Sequence, residues 1–298
     1  MRNAPRETEV AGAYAGLDSW SDARILDALA EGQERAIAAG RQAAPAIAHA
    51  AAVVAERLRH GGRLIYAGAG TSIRIAVQDG SELPATFGMA EDRLLYLIAG
   101  GRDAMFDTLA AAEDDAADGA RQAEACRAGD VVVAVAASGS TPFTLAAARK
   151  ARETGAAVIA VVNNQGSPLG QLADVEILLA SGPEVIAGST RLGAGTAQKA
   201  ALNLLSTLTH IRLGAVHDGY MVNVETGNAK LRARAETIVA TIARADAARA
   251  AKALDDAHGR VKAAVLLCAG ATDIAAAQKL LDDAGGNLRL AMSRQAVA

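Results

Sequence analysis

Glycines and hydroxyls cluster in this sequence where apolar runs end. Leu64–Ala67 empties into GAGTS at 68–72, placing Gly70, Thr71 and Ser72 at a predicted helix start. Val131–Val135 is followed by ASGSTP at 137–142, which offers Ser138, Ser140 and Thr141 ahead of Pro142, a residue suited to a first helical turn. Gly188-Ser189-Thr190 is a possible third cluster. The free N–H groups of a first turn, the hydroxyls and the helix dipole all favour a phosphate. Ordinary N-capping would account for one such loop, since Ser and Thr are good caps. Two loops of the same chemistry on neighbouring strand ends favour a phosphate cradle.

Carboxylates supply the second half of the chemistry. Glu82 lies in a Ser-Glu-Leu-Pro turn a dozen residues beyond Gly70, and Glu113 lies in AAEDD at 111–115. Taken singly, each reads as a solvated surface charge. As a pair on separate connections near one sheet edge they could serve as general acid and general base. That work requires one carboxyl kept protonated by its surroundings and the other left ionised. Asp114 and Asp115 read as helix-end charges. A phosphate grip beside two carboxylates points to chemistry on a phosphorylated small molecule.

The elements that must position these groups follow from periodicity. Short β-rich runs occur at 64–67, 94–98, 131–135, 158–162 and 175–179, separated by segments of helical pattern. Five such strands with helical crossovers predict an α/β fold, a parallel sheet covered on both faces with ligands beyond the strands' carboxyl ends. Residues 1–18 lack periodicity and predict a loop or arm. Between Ser21 and His60, apolar residues including Ile25, Leu26, Leu29, Ile37, Ile47, Val54 and Leu58 predict two helices, each with one apolar stripe, divided at Gly40 and Pro45. Further helices are expected at 196–213 and 230–245. The C-terminus repeats itself: 246–265 matches 273–292, aligning Asp255 with Asp282, Gly259 with Gly286 and Lys262 with Arg289.

Composition narrows the function classes. The chain has 298 residues, a net charge of −3, 51% hydrophobic residues and 3% aromatics, so Ala, Val, Leu and Ile must build its core. The charge and the lack of aromatic–basic interleaving argue against nucleic acid or an anionic membrane as the main partner. Five histidines are scattered without HxH or HxxxH spacing, so neither metal nor cofactor is expected. Cys126 and Cys268 read as reduced thiols. No leader pattern and no apolar run of spanning length occurs, which predicts a cytoplasmic protein.

GAGTS…SELPATFG, AAEDD, GDVVVAVAASGSTPF, GPEVIAGSTRLGAGTAQKAALNLLST and IRLGAVHDGYMVNV, in that order, resemble the N-acetylmuramic acid 6-phosphate etherase family of the sugar isomerase (SIS) fold superfamily, related to glucokinase regulatory protein. The resemblance runs from about residue 8 to 298. It implies a three-layer α/β/α sandwich with a five-stranded parallel sheet and a small C-terminal helical domain. The expected parts are an arm with two helices (1–60), a phosphosugar-binding core with following helices (61–245) and a UBA-like helical repeat (246–298). It implies a phosphorylated amino sugar as substrate, a homodimer, no cofactor and a role in peptidoglycan recycling. Carried over by motif, Glu82 would protonate the departing lactate and Glu113 would remove the C2 proton. Gly70, Thr71, Ser72, Ser138, Ser140, Thr141, Ser189 and Thr190 would hold the substrate.

The sequence departs from the family pattern at several points. Ile73 replaces the glycine of GTSGR, Ser140 the arginine of ASGRTP and Gly193 the lysine of STRLKAGT, while Asn223 and Gly227 alter the MVDV…TN stretch. Two cations are thereby lost, for which Arg74 and Arg191 are candidate substitutes. A sugar-phosphate isomerase or a non-catalytic sugar-phosphate sensor on the same fold are the competing expectations.

Overall fold

Apolar runs at five places pair into one parallel sheet. In the computed structural model, which describes residues 6–11, 14–107 and 109–296, these are β1 (Leu64–Gly68), β2 (Leu94–Ile98), β3 (Val131–Val135), β4 (Ala157–Val162) and β5 (Val175–Leu178). Their order is β2-β1-β3-β4-β5, with Leu64 opposite both Leu94 and Val131, Val131 opposite Ala157, and Ile159 opposite Val175. Every residue of β1, β3 and β4 is buried, as expected for central strands covered on both faces, whereas edge strands β2 and β5 are only partly so.

Alternate side chains of the strands serve opposite faces. Ile65, Ala67, Val132, Ala134, Val158 and Ala160 pack with Phe143, Ala147 and Ala151 of α6 (Pro142–Glu153). Helices α5 (Ala116–Ala123) and α7 (Pro168–Leu172) complete that layer. The other face meets α2 (Ala44–Arg59) and α3 (Gly70–Ser81). This is the three-layer sandwich that the alternation of elements predicts.

Helix α1 (Asp22–Gln42) corrects one expectation. Gly40 does not end the first helix but lies buried inside it, facing Ala200 of helix α8 (Gly193–Arg212), where a Cβ would make an ordinary 3.8 Å contact. The buried stripe of α1 is made of small residues, namely Ala28, Gly32, Ala36, Ala39 and Gly40. Leu26 and Ile37 instead face outward, 64% and 58% exposed. The chain breaks at Ala43, and Pro45 sits in the first turn of α2, where its missing N–H costs nothing.

An ion pair ties the starts of β1 and β3. Asp130 accepts from the Arg63 N–H at 2.9 Å, from Arg63 Nη2 at 2.6 Å and from the Arg127 N–H at 2.9 Å. Burial opposes the Asp130 charge, but these bonds outweigh it and hold the carboxyl below its ordinary range. Burial, aided by the Asp130 charge, pushes the neighbouring Cys126 thiol up to about 11, so this cysteine packs as an apolar side chain.

The described residues divide into two compact units. The first comprises those of 6–81 and 92–206; the second comprises those of 82–91 and 207–296. In the second, α4 (Leu83–Phe87) stacks Phe87 on His210, with ring centroids 4.5 Å apart. A two-residue hairpin, β6 (Val216–His217) with β7 (Tyr220–Met221), leads to α9 (Ala229–Ala243). Helices α10 (Ala247–Asp256) and α11 (Val261–Cys268) recur as α12 (Ile274–Asp283) and α13 (Leu288–Gln295) at the sequence offset of the repeat. Asp246 and Asp273 cap their helices in the same way, each accepting at 2.8 Å from the N–H three residues on. Leu254 matches Leu281 and Val261 matches Leu288 in one shared core.

Candidate functional site

The hydroxyl loops meet where β1 and β3 end. Thr71, Ser72, Ser138, Thr141 and Thr190 line a cavity of about 280 Å³ together with Gly70 and Glu113. All of these residues belong to the first unit. Ser138 Oγ lies 3.5 Å from Thr141 Oγ1 and accepts from the Ser140 N–H at 3.2 Å. Helices α3 and α6 both begin here, so their unpaired first-turn N–H groups accompany the hydroxyls.

Two glycines make this arrangement sterically feasible. Gly139 turns the β3–α6 loop at φ +63°, and a Cβ there would lie 2.4 Å from Ser167. Gly70 opens α3 at φ +53°, and its missing Cβ leaves room for a carboxylate, Glu113 Oε1 lying 2.6 Å from where that Cβ would be. Glu113 sits in a short 3-10 turn, Ala110–Asp114, and is half-buried. Two residues on, Asp115 caps α5 by accepting from the Asp118 N–H at 2.8 Å, the helix-end role expected of it.

Other predicted residues stand elsewhere. Ser140 and Ser189 do not line the cavity. The Ser140 hydroxyl donates to Ser138 Oγ at 3.3 Å, and the Ser189 N–H donates to the Ile186 carbonyl at 2.9 Å. Glu82 belongs to the second unit, where it is exposed immediately before α4 and its carbonyl accepts from the Thr86 N–H.

Sequence reasoning missed the cavity's third wall. Arg6, Thr8 and Glu9, from the arm without periodicity, line it. Thr8 is buried, its carbonyl accepting from the Gly188 N–H at 2.9 Å and its hydroxyl from Asn164 Nδ2 at 3.3 Å. Arg6 Nη2 donates to Ser140 Oγ at 2.6 Å, and its Nη1 pairs with Glu9 at 3.0 Å. Nothing local in residues 6–9 specifies a wall.

The departures from the family pattern now have physical settings. Ile73 is buried in contact range of Gly68 and contributes nothing to the cavity lining. Gly193 is the first residue of α8, whose opening N–H groups at 193 and 194 donate to buried Glu184 at 2.9 and 2.8 Å. That helix start is therefore neutralised by the chain's own carboxylate. Arg74 is committed to the carbonyls of Ala104 and Asp107, at 2.9 and 3.0 Å, and neither it nor Arg191 lines the cavity.

A larger cavity, about 460 Å³, lies within the second unit and includes Asn223, His258, Lys262 and Asp282. Burial pulls the Lys262 ammonium down to about 8, and its Nζ donates to the Gly286 carbonyl at 2.7 Å. The larger cavity holds Arg260 and Lys262 beside Glu225 and Asp282, but lacks the clustered hydroxyls and paired helix starts of the smaller one. Among the described residues, no three His, Cys, Asp or Glu side chains gather as a metal set, and no helix is long and apolar enough to cross a membrane.

Fold and site together define a SIS domain. The SIS domain family matches residues 105–208, and the glucokinase regulatory protein N-terminal SIS domain family matches residues 46–151. A Bacteroides fragilis chain described as a phosphosugar isomerase involved in capsule formation shares the fold, with TM-score 0.51 at 18% identity over 70% of this chain and 99% of that one. An N-acetylmuramic acid 6-phosphate etherase of Deinococcus radiodurans is 46% identical over 266 residues, 88% of this chain and 87% of the relative. Another, of Symbiobacterium thermophilum, is 47% identical over 256 residues, 85% of each. The chain belongs to the N-acetylmuramic acid 6-phosphate etherase family.

Proposed function

We propose that this protein cleaves the D-lactyl ether at C3 of N-acetylmuramic acid 6-phosphate, yielding N-acetylglucosamine 6-phosphate and D-lactate. The observation that carries this reading is the Glu113 carboxylate held against Gly70, in one cavity with the hydroxyl loops. A phosphate anchored at the helix starts of α3 and α6 would bring the sugar beneath that base.

In the open-chain sugar the C1 aldehyde acidifies the C2 proton. Glu113 takes that proton, the electron pair forms a C2=C3 double bond, and the C3–O bond to lactate breaks. An acid delivers a proton to the departing lactate oxygen; motif position in SELPATFG supports Glu82 for this role. Water then adds across the double bond, its oxygen to C3 and a proton to C2. The net change is a carbon–oxygen lyase step followed by hydration, and the chain's own acid and base suffice for it. We place the activity in the cytoplasm. The outward-facing Leu26 and Ile37 of α1 support a homodimer, because a second copy would cover them.

Incubation with N-acetylmuramic acid 6-phosphate tests the reading by D-lactate release. Glu113→Gln and Glu82→Gln should each abolish release. Exchange of the C2 proton with solvent should persist in the Glu82 variant alone. Phosphosugar binding without lactate release in the unmodified protein would refute the etherase and favour a sensor.

A further inference from the structure

The charges around the cavity leave a problem that one side chain solves. The lining contains two carboxylates, Glu9 and Glu113, and among the described residues a single cation, Arg6. Without that cation the helix starts and hydroxyls would have to hold a phosphate dianion beside two negative groups. From this geometry we infer that Arg6 is the cationic ligand of the substrate phosphate, a conclusion that rests on the phosphosugar reading above.

Three observations support the assignment. Arg6 reaches the hydroxyl loop itself, donating to Ser140 Oγ, which in turn donates to Ser138. Its remaining partner is weak: the Arg6–Glu9 pair is roughly half-exposed at both ends, the kind of pair a phosphate readily displaces. The arm is also pinned from behind, through Thr8, by Asn164 and by Gly188, which immediately precedes Ser189 and Thr190. The guanidinium thus arrives from a different part of the chain than the hydroxyls it joins. A planar fork that bonds Ser140 with one nitrogen has others free to meet phosphate oxygens.

Charge and anchoring can be separated by substitution. Arg6→Lys keeps the charge without the fork, whereas Arg6→Gln keeps a hydrogen-bond donor for Ser140 without the charge. Calorimetric dissociation constants for N-acetylglucosamine 6-phosphate, with inorganic phosphate as competitor, would be compared with KM and kcat for lactate release. Loss of one charge-assisted contact should weaken phosphosugar binding by about 10- to 100-fold in Arg6→Gln. KM should rise in parallel while kcat stays within about threefold, and Arg6→Lys should recover most of the loss. The inference is overturned if Arg6→Gln binds as the unmodified protein does, or if Gln rescues better than Lys, the order an anchoring role would give. An unmodified protein that binds phosphosugar but releases no lactate would sink the etherase reading and leave this comparison intact.

Discussion

Replacing Gly70 by alanine should separate stability from catalysis. The new methyl would stand 2.6 Å from Glu113 Oε1, so the carboxylate must retreat by about 0.8 Å to regain an ordinary 3.4 Å contact. Glu113 ends a side chain rather than a backbone segment, and that retreat is cheap for the fold. The larger stability cost comes from holding alanine at φ +53°, roughly 1–2 kcal/mol. For a chain of this size that lowers Tm by only a few degrees, at about 2–4 °C per kcal/mol. A base displaced by nearly an ångström is far more damaging, since misplacement of that order costs on the order of 100-fold in rate. Thermal unfolding monitored by circular dichroism and lactate release under saturating substrate would be measured on the same preparation. A Gly70→Ala protein with undiminished kcat would refute the placement of Glu113 as the base. One that no longer folds would refute the argument that the collision is absorbed by a side chain.

Asp130→Asn should destabilise the first unit by about 3–5 kcal/mol at pH 7, because it leaves the mostly buried Arg63 unpaired; urea unfolding reads the change. Since the folded Asp130 carboxyl is depressed, its contribution is full above the ordinary carboxylate pKa and fades as pH falls through the lower folded value. The gap between the two proteins should therefore narrow on acidification. Leu26→Glu combined with Ile37→Glu should leave the monomer's fold intact, since both side chains face outward, yet shift a dimer to monomers in sedimentation. An unchanged mass would place the dimer surface elsewhere.

The sheet was legible because β1, β3 and β4 are unbroken apolar runs ending in glycine-rich loops, a pattern that buried parallel strands require. The hydroxyl loops at 68–72 and 137–142 were legible for the same reason, since each follows a strand end, whereas Glu113 stood out only through the AAEDD motif of the family resemblance. Helix α1 was harder. Its packing face is a stripe of alanines and glycines, which hydrophobic periodicity passes over in favour of Leu26 and Ile37. Gly40 signals a break by propensity, but it belongs to that buried stripe and the helix continues past it to Gln42. Arg6, Thr8 and Glu184 act through partners nine to more than 150 residues away, and no local pattern encodes such pairings. The excursion of residues 82–91 into the second unit is likewise invisible until tertiary contacts exist.

The arm that closes the cavity also sets when the site can exist. Its bonds join Arg6 to Ser140 and Thr8 to Asn164 and Gly188, so synthesis must pass residue 188 before this wall has its last anchor. A few hydrogen bonds contribute only about 1 kcal/mol each, so the arm is held far less firmly than the buried strands of the sheet. It should therefore open before the rest of the first unit. Its amide hydrogens should exchange with solvent well before those of the sheet it covers.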